Sequence, residues 1–178
     1  MRRLAYAGLM IAMGLTGAYV HVIPNLELVT LSAFAAGVLL GARDGAAVAA
    51  LTMLLYSLLN PYGMAHPLVT ASQVIGEALV GAAGGATLGF ARSPAMMRAV
   101  LLGLTGALLA LCYDLLTNVA TGVVFGQMRV TLLGGIPFAL WHIAWVTVLF
   151  AALGPALVAV LVRYRARLSP SPSPQPSH

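Results

Sequence analysis

Eight of the nine basic side chains in this chain, all of them arginines, lie on alternate connections between six long apolar runs. The runs occupy residues 4–23, 26–41, 45–59, 67–91, 97–125 and 132–162. Arg2 and Arg3 precede the first, and Arg43 lies between the second and third. Arg92 and Arg98 separate the fourth from the fifth, and Arg163, Arg165 and Arg167 follow the sixth. Only Arg129 falls on the other set of connections. Loops rich in Arg or Lys stay in the cytoplasm, so the pattern predicts six crossings with both termini cytoplasmic. The expected fold class is an all-α integral membrane protein, because ~20 apolar residues as helix cross ~30 Å of hydrocarbon.

Composition excludes an ordinary soluble domain. Only 7% of residues are charged and 61% are hydrophobic, where soluble domains carry about 25% charged residues. Six helices nearly exhaust the 178 residues, leaving one membrane domain, 1–165, and a Ser/Pro-rich tail, 166–178. The tail has nothing to bury and is expected to be a disordered, cytoplasmic end. A net charge of +5 invites a nucleic-acid reading, but these arginines line one membrane face and set orientation, so no nucleic-acid partner is expected. Met1-Arg2-Arg3 and a small-x-small site at Thr16 and Ala18 have the form of a signal peptide. Further spans follow at once, which favours a first crossing. The single Cys112 excludes an internal disulfide.

The second and third runs are short for a crossing. Either their outer loops, through Pro24-Asn25 and Asn60-Pro61-Tyr62-Gly63, dip beneath the surface against protein or a cavity, or the bilayer thins and its neighbours tilt. Small residues mark close approaches, as Gly8-x-x-x-Ala12 in the first run and Gly81-x-x-x-Gly85-x-x-x-Gly89 in the fourth. Such spacing serves internal packing or a docking face for another membrane subunit.

The four acidic residues differ in meaning. Asp44 opens the third helix, where a carboxylate caps free N–H groups and suits the helix dipole. Glu27 lies in the first turn of the second helix; the dipole accounts for it, and it also faces the outer loops. Glu77 sits about ten residues into the fourth helix, at a depth where a charge costs ~2.5–3.5 kcal/mol, so it must face the interior and a partner. Asp114, Thr117, Asn118 and Thr121 recur at i, i+3, i+4 and i+7, one face of the fifth helix in its outer half. Trp141, His142 and Trp145 lie at the same depth in the sixth. Tryptophans there are also common as interface anchors, and a lone histidine as a packed residue. Together, the polar face and the aromatic cluster read as an apolar-walled pocket with a few polar groups.

No paired carboxylates at helical spacing, His-Glu-x-x-His, Gly-x-Ser-x-Gly or Walker loop is present. The histidines are too scattered for a metal site. The chain is therefore expected to bind rather than transform its ligand: not an enzyme, with no cofactor of its own.

The chain resembles an S component, the substrate-binding membrane subunit of an energy-coupling factor (ECF) vitamin transporter. The resemblance covers residues 1 to about 165. It rests on Pro24-Asn25-Leu26-Glu27-Leu28-Val29-Thr30, Ala36-Gly37-Val38-Leu39-Leu40-Gly41, Tyr56-Ser57-Leu58-Leu59-Asn60-Pro61-Tyr62-Gly63, Tyr113-Asp114-Leu115-Leu116-Thr117-Asn118 and Gly135-Ile136-Pro137-Phe138, in that order. It implies a six-helix bundle with an outward pocket built from the outer ends of helices four to six and the outer loops. Glu27, Tyr56 and Asn60 then join Glu77, Asp114, Asn118, Trp141, His142 and Trp145 as candidate ligand contacts. It also implies a membrane coupling subunit and two cytoplasmic ATPases that hydrolyse ATP. Docking uses an Ala-x-x-x-Ala pattern that maps here onto Gly8 and Ala12, with glycine replacing the first alanine. The implied ligand is a vitamin or related micronutrient, and the implied location is a bacterial inner membrane. A membrane scaffold of the rod-shape-determining kind and a stand-alone proton-coupled carrier remain open alternatives. A scaffold needs no polar pocket, and a carrier is expected to show internal repeats, which are not apparent.

Overall fold

The structure, a computed structural model, describes residues 2–19 and 28–168. Glu27 and residues 169–178 of the tail lie outside the described residues. Among the described residues, eight α-helices follow one another: α1 (Arg2–Tyr19), α2 (Val29–Leu40), α3 (Ala42–Leu58), α4 (Pro67–Ala86), α5 (Ala95–Phe125), α6 (Met128–Gly134), α7 (Ile136–Ala152) and α8 (Gly154–Ala166). A 3-10 segment, Thr87–Arg92, extends α4. Helix accounts for 89% of the described residues, with no strand among them.

Among the described residues, two helices are long and apolar enough to cross a membrane, Pro67–Arg92 with 26 residues and Ala95–Phe125 with 31. A third candidate is the pair α6 and α7, bent by 45° where they meet. The sixth apolar run, expected as one span over 132–162, is divided twice. Pro137 stands in the first turn of α7 and Pro155 in the first turn of α8. Proline has no N–H to give an upstream carbonyl, so it opens a helix readily and disrupts its interior.

The centre of the bundle is α2, with eleven of its twelve residues buried. A helix apolar on all sides has no solvent face to offer, and this one is enclosed by α1, α3, α4, α7 and α8. Phe34 of α2 meets Phe150 of α7 edge to face, ring centroids 5.0 Å apart, both fully buried. Helices α2, α3 and α4 converge on glycine. A Cβ on Gly37 would collide with the Gly81 carbonyl oxygen, and one on Gly45 with the Gly37 backbone. Gly84 and Gly85 face the backbones of Phe34 and Ala42 in the same way. Gly41 alone joins α2 to α3, with φ of 104°, a conformation that side chains with a Cβ resist. The glycines of the fourth run thus serve internal packing at Gly81 and Gly85, while Gly89 meets nothing within 4 Å.

One end of the bundle is tied by arginine. Arg3 donates to the Leu40 carbonyl and to Asp44 Oδ2, both at 2.7 Å. Arg165 donates to the Val38 carbonyl at 3.1 Å. These bonds satisfy last-turn carbonyls of α2 that lack helical partners. Leu168 shares the small cleft lined by Arg3, Leu40 and Arg165, so the first and last described turns meet at one end. Asp44 does not form the expected cap: Gly41 is the N-cap of α3 and makes no side-chain cap. The carboxylate lies within the first turn and pairs with Arg3 instead.

Gly8 and Ala12 take no part in this packing. Both are exposed, and nothing lies within 4 Å of a Cβ placed on Gly8.

Candidate functional site

The half of the bundle away from the Arg3–Asp44 pair contains a cavity of about 280 Å³. Its lining residue Tyr56 lies twelve residues along α3 from Asp44, ~18 Å at the helical rise. Most helices of the bundle contribute. Ala18 comes from α1, Val29 from α2, and Met53 and Tyr56 from α3. Gln73 and Glu77 come from α4, Tyr113, Asp114 and Thr117 from α5, and Phe138 and His142 from α7.

Helical periodicity selects these sets. Gln73 and Glu77 are four apart, as are Tyr113 with Thr117 and Phe138 with His142, so each pair shares a face. The absent side chain of Gly76 lets α5 approach α4, since a Cβ there would lie 2.6 Å from Tyr113 Cδ2. Tyr113 in turn meets the His142 ring edge-on, centroids 6.1 Å apart. Tyr56 is braced by an edge-on contact with Tyr19 at 5.3 Å, and the Tyr19 hydroxyl donates to the Leu59 carbonyl at 3.1 Å.

The polar groups occupy two positions on the wall. Glu77, 1% exposed, accepts from Thr30 Oγ1 at 3.1 Å. Opposite in the chain order, Asp114 Oδ1 and His142 Nδ1 lie 2.9 Å apart, both residues buried. An Nδ1–H donated to Asp114 leaves Nε2 as the ring nitrogen for other partners. The second oxygen, Asp114 Oδ2, is buried and meets no donor among the described residues. The Thr117 hydroxyl is directed back to the carbonyls of Tyr113 and Asp114, at 3.0 and 3.2 Å. Among the described residues, no group of three or more His, Cys, Asp or Glu is placed to hold a metal ion. The wall offers carboxylate acceptors, an imidazole, a carboxamide and three aromatic rings, a set suited to binding one small molecule by hydrogen bonds and stacking.

Of the residues selected from sequence, the structure brings Tyr56, Glu77, Asp114 and His142 to this wall. Four others lie elsewhere. Asn60 Oδ1 accepts from the Tyr62 N–H at 2.9 Å and shapes the turn after α3. The Asn118 amide packs against Gly135, where a Cβ would lie 2.9 Å from Nδ2. Trp141 is 55% exposed on the outer face of α7. Trp145 is half-buried, and its indole N–H is enclosed without an acceptor among the described residues. The sequence reading missed Ala18, Val29, Met53, Gln73, Tyr113 and Phe138. Only Gln73 carried a usable signal, four residues before Glu77 on the same helical face. Comparison with protein-family models, with curated proteins and with solved structures finds no match for this chain.

Proposed function

We propose that this chain is the substrate-capturing S component of an ECF-type importer in a bacterial inner membrane. In this reading the six apolar runs cross the bilayer with both termini cytoplasmic, and the cavity faces outward. It takes a vitamin or related micronutrient and passes it to a coupling module. That module consists of a membrane coupling subunit and two ATPases, which hydrolyse the ATP, so the chain itself needs neither cofactor nor catalytic group.

The observation that carries the reading is the cavity itself. Buried carboxylates and an imidazole in an apolar bundle are costly and mark a ligand or ion pathway rather than packing. A pure scaffold has no use for them. The exposed Gly8 and Ala12 add support: a small-residue stripe left unpacked inside the subunit is available for a close helix contact with a second membrane protein.

Two measurements test it. Enlarging both Gly8 and Ala12 to leucine should abolish co-purification of the ATPase-bearing coupling module while leaving thermal stability unchanged. Retained co-purification would remove the docking assignment. A reporter active only outside the cytoplasm should give signal when fused after Tyr62 and none after Arg92. The opposite pattern would turn the cavity toward the cytoplasm and end the capture role.

A further inference from the structure

The charge of the ligand is written into what the cavity lacks as well as what it holds. The chain has no lysine, and all nine of its arginines are among the described residues. None of them lines the cavity. Phosphate and carboxylate ligands are ordinarily met by Arg or Lys through charge-assisted bonds, and no such group is present on this wall. The described wall instead contributes two carboxylates, Glu77 and Asp114, against a single imidazole, His142, which is already engaged with Asp114 at 2.9 Å.

An ionised carboxylate accepts and never donates, and Asp114 Oδ2 is buried with no donor among the described residues. A buried acceptor without a donor is unfavourable, so a ligand that brings an N–H to this oxygen repairs a defect of the empty site. Three rings, Tyr56, Tyr113 and Phe138, share the wall, and aromatic faces attract cations within about 6 Å. The cavity volume of about 280 Å³ is just below the ~300–1,000 Å³ typical of ligand sites. That leaves room for one ring or a compact pair of rings.

We propose that the cavity selects a small, positively charged nitrogenous ring compound whose N–H groups meet Asp114 and Glu77 while its ring packs among Tyr56, Tyr113 and Phe138. This deepens, and rests on, the capture reading above. By the same charge argument a neutral micronutrient is a weaker ligand and an anionic one weaker still.

Three planar probes of nearly equal shape isolate the charge: benzamidinium, benzamide and benzoate. Each is titrated calorimetrically into the purified full chain in lipid nanodiscs. Benzamidinium should bind at least about tenfold tighter than benzamide, the lower bound for one bond to a charged group, and benzoate weakest of all. In Asp114→Asn that advantage should shrink severalfold, whereas Trp141→Phe should keep it. The parent protein alone decides the matter, so misfolding of a variant does not obscure the result. Equal binding of the three probes, or a preference for benzamide or benzoate, overturns the charge assignment. If the protein still co-purifies with its ATPase module in that case, the capture reading stands. A folded parent that binds none of the three and releases no small molecule on extraction overturns both.

Discussion

The junction of α2, α3 and α4 sets the position of the cavity's α4 wall, and a single methyl group at Gly37 tests it. A Cβ on Gly37 would meet the Gly81 carbonyl oxygen directly, with Gly85 N at 2.8 Å and the Gly81 carbonyl carbon at 3.0 Å. All three are backbone atoms, so no rotamer change relieves the contact. Ordinary van der Waals contact begins at 3.4 Å, so α4 must retreat by roughly half an ångström or more from α2. Overpacking of this kind costs about 1–3 kcal/mol. The same displacement acts on the Thr30–Glu77 hydrogen bond of 3.1 Å, which joins the same two helices. Gly37→Ala should therefore lower the unfolding midpoint in detergent and weaken ligand binding together. Gly8→Ala and Gly89→Ala, where a Cβ meets nothing within 4 Å, provide matched controls and should do neither. A Gly37→Ala protein as stable as those controls would refute the close three-helix packing.

Three further outcomes follow from the same geometry. Asp114→Ala strips His142 of its carboxylate at 2.9 Å and should cost about 1.5–3 kcal/mol of stability in chemical unfolding; Asp114→Asn, which keeps an acceptor, should cost clearly less. The Arg3–Asp44 pair has half-exposed side chains, 55% and 49%, so Asp44→Asn should change stability by no more than about 1 kcal/mol. Arg165→Ala, which frees the Val38 carbonyl, should cost more than that in the same assay. Gly76→Ala should press on the Tyr113 ring, 2.6 Å from the new Cβ; the ring can turn, so ligand affinity should fall with the fold retained, as read by parallel titration and thermal unfolding.

Depth and helical face single out the charged residues of the cavity wall, because a carboxylate or imidazole in an apolar run is conspicuous. Glu77, Asp114 and His142 were legible for that reason. The remaining lining was not, because Ala18, Val29, Met53 and Phe138 are indistinguishable by composition from the dozens of apolar residues around them. On α7 the sequence favoured the tryptophans, yet Trp141 lies ~100° around the helix from His142. The cavity takes the Phe138–His142 face and leaves Trp141 outside. Asn118 shares the Asp114 face by spacing, but Gly135 has no side chain and draws the amide into packing at the bend between α6 and α7. The helix order was legible throughout except in the sixth run. There Gly134-Gly135 and Gly154-Pro155 were breaks hidden inside unbroken hydrophobicity. The short turn at Gly41 and the arginine ties at Arg3 and Arg165 depend on contacts between distant residues, which no local pattern encodes.

Whether the cavity captures a small molecule is tested most directly by recovering what it holds. The full chain is purified, its bound compounds are extracted and identified by mass spectrometry, and the recovered compound is titrated back into stripped protein. Binding should be saturable, weakened about 10- to 150-fold by Asp114→Ala, the worth of one bond to a charged group, and unchanged by Trp141→Phe. A folded protein that retains no compound, or one whose binding ignores Asp114 and responds to Trp141, would contradict it.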